Sequence, residues 1–122
     1  MSELVFEVSD HIATITLNRP AKLNAFTDAM LAALVNAVDE CDQRDDVRVV
    51  VLTGAGRGFC SGGDIGAMGE GSDRRPHVTK QHIADDIQAF PKRMATFTKP
   101  IIAAVNGAAA GGGMDLALAC DF

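Results

Sequence analysis

Two glycine-rich turns, each following an apolar run, constrain this chain more than any other feature. The first is Phe59 to Ile65, with the sequence FCSGGDI, and the second is Asn106 to Asp115, with the sequence NGAAAGGGMD. A glycine at a strand-to-helix turn has no Cβ, so its backbone can approach a ligand and its N–H stays accessible. Two such N–H groups can bind one oxygen. Acyl chemistry needs that arrangement because negative charge builds up on a carbonyl oxygen.

Length and charge exclude several classes of function. The 122 residues, of which 48% are hydrophobic, are expected to form one globular domain over residues 1–122. The net charge of −5 and the scattered basic residues argue against binding to nucleic acid or to an anionic membrane. Residues 1–20 hold no continuous apolar stretch, so neither a signal peptide nor a transmembrane helix is expected. The cytoplasm is the expected compartment.

Hydrophobic periodicity predicts an α/β domain. Alternating apolar residues between positions 4 and 8, followed by the β-branched segment 12–17, predict a hairpin. Thr27 is the expected N-cap of a helix that ends near Arg44. Its apolar face is predicted by spacings of three and four at Met30, Leu31, Leu34, Val35, Val38 and Cys41.

The second part of the chain is predicted to hold two buried strands, over 47–52 and 101–105, and a last helix over 112–119. The polar residues 66–78 predict a mobile loop. Helical spacing returns at Ile83, Ile87, Phe90 and Met94, and Pro91 is expected to kink or break that helix near Phe90. Asp121 is expected to fix the end of the last helix.

Four blocks of the chain resemble, in the same order, the enoyl-CoA hydratase/isomerase (crotonase) family. They are residues 18–25 (NRPAKLNA), 47–54 (VRVVVLTG), 58–65 (GFCSGGDI) and the segment from Lys99 to Asp121, which begins KPIIAAVNG. Four blocks in register are far more specific than one glycine motif. The resemblance implies an α/β fold of stacked ββα units, the first part of the crotonase superhelix. Family members are much longer, so the chain would be truncated after the second glycine turn.

The resemblance also implies a catalytic site. The backbone N–H groups of Gly63 and Gly112 would form an oxyanion hole for a thioester carbonyl, and Asp115 would transfer a proton. Asp115 lies three residues after Gly112, so both face one pocket if this segment is helical. Hydratases of the family usually carry glutamate there, whereas an aspartate resembles the dienoyl-CoA isomerases. Hydration of a C=C bond and a proton shift around it therefore both stay open.

The two glycine turns and Asp115 could also have purely structural roles. Both turns could be tight corners where a helix packs closely on a strand. Asp115 could serve only to offset the positive end of a helix dipole, which is a common use of an acidic residue in a first turn.

Coenzyme A is expected as part of the substrate, with no separate cofactor and no metal. By resemblance it would contact Lys22, Leu23, Ser61, Gly62, Gly63, Asp64, Ile65, Gly66 and Gly112. Relatives often carry Lys or Arg where this chain has Gly66, so phosphate binding would fall on Lys22, on Arg19 or on a residue outside this chain. An ordinary solvated lysine is the alternative for Lys22. A homotrimer, or a dimer of trimers, is implied for the full-length protein.

The sequence gives little support to a nucleotide-binding, metal-binding or thiol-based function. Residues 54–59 (GAGRGF) lack the third glycine of the dinucleotide fingerprint, because Phe59 stands there, and no Gly-Lys-Ser or Gly-Lys-Thr of a P-loop occurs. Cys41, Cys60 and Cys120 indicate neither a disulfide framework nor a zinc site, and Cys60 has no recognisable histidine partner for nucleophilic catalysis.

The main alternative is a non-catalytic fragment that keeps part of the CoA site. Residues 1–122 alone are expected to be inactive and prone to self-association, because the apolar segment 101–119 needs cover on both sides.

Overall fold

The computed structural model describes residues 2–64, 75–82 and 88–122. Within them the strands form one sheet in the order β1-β2-β3-β4, in which β1 and β2 are antiparallel and β2, β3 and β4 are parallel. The elements are β1 (Leu4–Ser9), β2 (Ile12–Leu17), α1 (Asp28–Gln43), β3 (Val49–Gly54), α2 (Pro76–His82), α3 (Ala89–Met94), β4 (Ile101–Ala104) and α4 (Gly112–Leu118). The predicted α/β class is confirmed. None of the described helices is long and apolar enough to cross a membrane.

The predicted hairpin is confirmed, with Leu4 paired to Leu17 and Ser9 paired to Ile12. Its two-residue turn places both Asp10 and His11 at positive φ, 53° and 67°. A turn of this hand matches the right-handed twist of the strands that it joins.

The first helix has the predicted N-cap and the predicted buried face. The Thr27 hydroxyl accepts a hydrogen bond from the Met30 N–H at 3.1 Å and donates one to a Glu3 carboxylate oxygen at 2.8 Å. The buried residues are Met30, Leu31, Leu34, Ala37, Val38 and Cys41, so Ala37 joins the predicted face and Val35 lies at its half-buried margin. Beyond the other end, the Lys99 ammonium donates to the Cys41 and Arg44 carbonyls at 2.6 and 2.8 Å. These bonds satisfy carbonyls that the helix itself leaves unpaired.

The core lies between α1 and the sheet, and Phe90 of α3 and Leu116 of α4 extend it. The last strand and helix are covered on one side only within the described residues. Ile101 and Leu116 are buried, whereas Val105, Met114, Leu118 and Phe122 are 51%, 47%, 73% and 81% exposed.

Two predicted boundaries differ from the structure. The strand predicted over 47–52 spans Val49–Gly54, because the Val47 N–H bonds to the Arg44 carbonyl and forms a turn that closes α1 onto the sheet. The loop predicted over 66–78 is wrong for 76–78, which are helical. Pro76 there occupies the first helical position, where its missing N–H costs nothing. Residues 66–74 lie outside the described residues.

Two single-residue predictions can be compared with the structure. A helix boundary lies next to Phe90, as predicted, because α3 begins at Ala89 and holds Pro91 in its first turn, whereas Ile83 and Ile87 lie outside the described residues. Asp121 fixes β4 rather than the end of α4. Its carboxylate accepts a hydrogen bond from the Ile101 N–H at 3.0 Å, and its own N–H donates to the Ile101 carbonyl at 2.9 Å.

Two asparagine side chains hold the loop that follows β3. The amide of Asn24, fully buried, donates to the Ala55 and Gly58 carbonyls, both at 2.9 Å, and accepts from the Arg19 N–H at 2.8 Å. The amide of Asn106 donates to the Gly56 and Gly58 carbonyls and accepts from the Gly54 N–H. The loop leading into the first glycine turn is therefore fixed from both sides.

The hydrogen bonds from Asn24 and Asn106 to this loop form a clamp, and they make the buried Asn24 important for stability. Asn24→Ala should lower the free energy of unfolding by several kcal/mol, because each buried partner left without a hydrogen bond costs about 1–3 kcal/mol. Urea unfolding measures the change. Asn18→Ala is the control, since the Asn18 amide makes an exposed hydrogen bond to the Ser2 carbonyl and should change stability by no more than about 0.5 kcal/mol. Equal losses in the two variants would contradict the clamp.

Candidate functional site

Main-chain hydrogen bonds hold the two glycine turns side by side. The N–H groups of Phe59 and Cys60 donate to the Ala108 carbonyl at 3.0 and 3.2 Å, and the Ala110 N–H donates to the Cys60 carbonyl at 3.1 Å. Cys60 and Ala109 form a short parallel bridge. This pairing continues beyond the neighbouring parallel strands β3 and β4, which end at the same edge of the sheet.

The turns are so close that side chains would not fit between them. A Cβ on Gly113 would overlap the Cys60 carbonyl oxygen. Gly62 has a φ of 105°, which favours glycine, and a Cβ there would lie 3.1 Å from the Ala110 oxygen and 3.5 Å from the Gly112 nitrogen. The residue that precedes Gly63 thus contacts the start of α4.

The N–H of Gly112 differs from the N–H groups that follow it at the start of α4. The Gly113 N–H donates to the Ala110 carbonyl at 2.9 Å, and the Met114 and Asp115 N–H groups donate to the Gly111 carbonyl at 3.0 and 3.2 Å. The Asp115 bond is the first regular bond of the helix, and the Gly113 and Met114 bonds satisfy two of the four donors that a helix leaves unpaired at its start. Across the part of the chain that the structure describes, the Gly112 N–H donates no hydrogen bond.

The N–H of Gly63 also lacks a hydrogen bond within the described residues, for a different reason. The Phe26 N–H donates to the Gly62 carbonyl at 2.8 Å, and the Asp64 N–H donates to the Phe26 carbonyl at 3.0 Å. In this parallel bridge the N–H of Gly63 points away from Phe26. It donates no hydrogen bond to any residue in the described ranges.

Asp115 and Gly112 line the same pocket, as the sequence predicts. Its wall is formed by residues of α1, α3 and α4 and the segment before α1, namely Phe26, Leu31, Gln88, Pro91, Gly112, Asp115 and Leu116. Asp115 is exposed, and its carboxylate forms no ion pair or hydrogen bond with another described residue. The pocket therefore places one accessible carboxylate near the Gly112 N–H, and Gly63 lies in the adjoining turn rather than in the pocket wall.

The residues predicted to contact coenzyme A lie partly together. The Ser61 hydroxyl donates to the Lys22 carbonyl at 3.2 Å, and the Ser61 N–H donates to the Leu23 carbonyl at 3.0 Å. Lys22 and Ser61 are both exposed, and these bonds hold the Lys22–Leu23 segment against the first glycine turn. Ile65 and Gly66 lie outside the described residues.

Arg19, one of the residues that the resemblance allows as a phosphate ligand, has partners within the protein. Its guanidinium donates to the Asp64 carboxylate at 2.8 Å and to the Ala25 carbonyl at 2.6 Å, and it lies 3.5 Å from Glu3. Only 18% of its side chain is exposed. Arg19 instead fixes the first glycine turn to the segment before α1, and it occupies the Asp64 carboxylate that was predicted to contact coenzyme A.

Sequence reasoning missed several residues that shape this site. Asn24 and Asn106 clamp the incoming loop, the Arg19–Asp64 pair fixes the first turn, and Phe26 contacts both turns. The one available signal was an asparagine beside a turn at Asn24, because asparagine tolerates the positive φ of 57° found there.

Two alternative functions lose support. A dinucleotide fingerprint requires a helix directly after its glycines, whereas residues 59–64 contain no helix and make strand-like bridges. A thiol nucleophile needs a lowered pKa, whereas burial raises the pKa of Cys60, which has no exposed surface. Among the described residues no group of His, Cys, Asp or Glu could hold a metal ion.

The buried thiols predict how stability depends on pH. Burial raises the pKa of Cys41 and of Cys120 from 9.0 to about 11. Between these values the unfolded chain releases protons that the native chain retains. Stabilisation is therefore complete below pH 9 and declines as the pH rises towards 11. Urea unfolding at pH 8 and pH 10.5 should show this loss.

The double variant Cys41→Ala/Cys120→Ala is the control for that measurement, because it removes both thiols. Its free energy of unfolding should fall less between the two pH values. An equal fall would show that other groups cause the alkaline loss.

Comparisons with known proteins agree on one family. The model of the enoyl-CoA hydratase/isomerase family matches residues 7–122. A probable enoyl-CoA hydratase of Mycobacterium tuberculosis is 41% identical over 97% of the chain and 44% of its own length. A 1,2-epoxyphenylacetyl-CoA isomerase of Escherichia coli is 39% identical over 100% of the chain and 47% of its own. The chain therefore spans about half the length of these relatives.

A solved structure supports the fold. The crystal structure of an enoyl-CoA hydratase/isomerase from Xanthobacter autotrophicus is 35% identical and superposes with a TM-score of 0.92. The match spans 99% of this chain and 45% of the chain in that crystal structure. The crotonase-like fold predicted from the sequence is confirmed.

Proposed function

Because the chain belongs to the enoyl-CoA hydratase/isomerase family, we propose that it acts on an enoyl-CoA thioester. The reaction is either addition of water to the C=C bond or a proton shift around that bond. Relatives of both kinds, a named hydratase and a named isomerase, match the chain at similar identity.

The observation that carries the proposal is the pair of unengaged N–H groups at Gly63 and Gly112. They belong to adjoining turns, and main-chain bonds that involve Cys60, Ala108 and Ala110 fix these turns to each other. Backbone donors fixed before the reaction stabilise a developing oxyanion without reorganising. The thioester oxygen would accept hydrogen bonds from both, and each donor is worth about 3–4 kcal/mol in a working site.

Asp115 would move the proton. Its exposed carboxylate lines the same pocket as Gly112, so a thioester bound at the oxyanion hole would extend its acyl chain past this group. A carboxylate so placed can remove a proton from the acyl chain, or from a water molecule that attacks it, and return it as the enolate collapses.

The coenzyme A moiety would lie over exposed Lys22 and Ser61 and half-buried Leu23, and along the first glycine turn. Lys22 would supply the cation for a phosphate, which is supported by its exposure and by the pairing of Arg19 with Asp64. The thioester brings its own coenzyme A, so the proposal needs no further cofactor. Assembly into a homotrimer remains a prediction.

The proposal is tested by Asp115→Asn in the protein expressed from its complete reading frame. The amide keeps the shape and loses the basic charge, so crotonyl-CoA should still bind while turnover falls about 100-fold or more. Steady-state kinetics and calorimetric binding measure the two effects. Asp28→Asn is the matched control, because Asp28 is the first-turn acid of α1.

Three outcomes would contradict the proposal in different ways. Unchanged turnover with a lowered melting temperature would make Asp115 a structural residue. Equal losses in both variants would point to a general effect of first-turn charge. If the unsubstituted protein binds enoyl-CoA thioesters but turns over none, it is a binding protein without catalysis.

A further inference from the structure

Phe26 lies at the junction of the two glycine turns and contacts both. Its N–H and carbonyl form the hydrogen bonds to Gly62 and Asp64 that flank Gly63, at 2.8 and 3.0 Å. The main chain of this one residue therefore determines where the first turn lies and in which direction the Gly63 N–H points.

The ring of Phe26 packs on the second turn. A methyl group at Gly112 would lie only 2.5 Å from Cε1 and 2.6 Å from Cζ of this ring, so the ring covers the face of Gly112 that has no side chain. The same ring lines the pocket that contains Asp115. It thus contacts the start of α4 from the side on which an acyl chain would lie.

The remaining bonds between the turns lie nearer the sheet. They join Phe59 and Cys60 to Ala108 and Ala110, which precede Gly112. In the described residues, no hydrogen bond joins Gly63 directly to Gly112. Phe26 contacts both positions, because its main chain is bonded on either side of Gly63 and its ring covers Gly112, while the main chain of Gly62 also approaches the Gly112 nitrogen.

We propose that Phe26 is a positioning residue that fixes the separation and direction of the Gly63 and Gly112 N–H groups. This inference rests on the proposed function, in which both groups bind one thioester oxygen. Such donors must lie about 2.7–3.1 Å from that oxygen, and a displacement of about 1 Å can lower the rate about 100-fold. A rigid ring between two turns prevents that displacement, because a close-packed contact yields little without the loss of its dispersion energy.

The test uses Phe26→Ala and Phe26→Leu in the protein expressed from its complete reading frame. Alanine removes the ring from Gly112, and leucine restores part of the cover. The readout is the infrared stretching frequency of the thioester carbonyl in bound crotonyl-CoA labelled with ¹³C at that carbon, because hydrogen bonds from an oxyanion hole lower this frequency. Turnover and KM are measured in parallel.

The matched control is Phe97→Ala. Phe97 is also half-buried against the core, and its ring lies 5.8 Å from the Arg93 guanidinium. Arg93 pairs with Asp39 and Asp42 near the end of α1, whereas Phe26 precedes the start of that helix. The control therefore removes a similar aromatic side chain far from both turns.

If Phe26 positions the donors, the alanine variant should lose most of the carbonyl shift and about 10- to 100-fold in kcat, with KM changed less than about threefold. The carbonyl shift and kcat of the leucine variant should lie between those of the alanine variant and the parent. If the alanine variant does not fold, the leucine variant alone tests the role of Phe26. Phe97→Ala should keep both the shift and kcat, even if it melts earlier.

Two results would overturn the proposal. One is a folded Phe26 variant with the parent carbonyl frequency and kcat, and the other is an equal loss in Phe97→Ala. A parent protein that binds crotonyl-CoA without any carbonyl shift would instead refute the oxyanion hole itself. The failure of the proposed function is thereby distinguished from the failure of the role of Phe26.

Discussion

The close approach of two backbone segments, 57–60 and 107–113, is the constraint on which the rest of the structure depends. A Cβ on Gly107 would overlap the Arg57 carbonyl oxygen, and one on Gly113 would overlap that of Cys60. Because β3 and β4 are parallel neighbours, the segments that follow them leave the sheet at the same edge and meet there. Their contact determines where α4 begins, and with it the direction of Gly112 and the position of Asp115.

Main chain and side chains have separate tasks around this contact. Backbone N–H groups supply the donors of the proposed chemistry, and the side chains of Asn24, Asn106 and Arg19 hold the segments that carry them. None of these three side chains needs to contact a substrate to matter. Each acts by satisfying carbonyls or a carboxylate that would otherwise leave the first turn free to move.

The sequence predicts the local parts of this fold well and the long-range parts poorly. The hairpin, the Thr27 cap and the buried face of α1 follow from patterns within a few residues, and the glycine turns are visible directly. The boundary of β3 could not be predicted, since a hydrogen bond from Val47 to Arg44 competes with strand pairing. The pairing of Arg19 with Asp64, 45 positions away, has no local signal, and for that reason Arg19 stayed among the candidates for phosphate binding.

The candidate site also has a part that the sequence predicts and a part that it does not. The resemblance indicates Gly63, Gly112 and Asp115, which belong to the sequence motifs, and in the structure Gly112 and Asp115 line one pocket while Gly63 lies in the adjoining turn. Phe26 was overlooked because it lies just outside the NRPAKLNA block, and its significance depends on which side of Gly112 its ring covers.

The packing role of the glycines limits what they can reveal about activity in related chains. Gly107 and Gly113 are required wherever these two segments touch, so a descendant that had lost its chemistry would still retain them for folding. Folding does not require Asp115 in the same way, since it is exposed and forms no ion pair with another described residue. When genomes are surveyed for relatives that have become inactive, replacement of the acid among intact glycines is the informative sign.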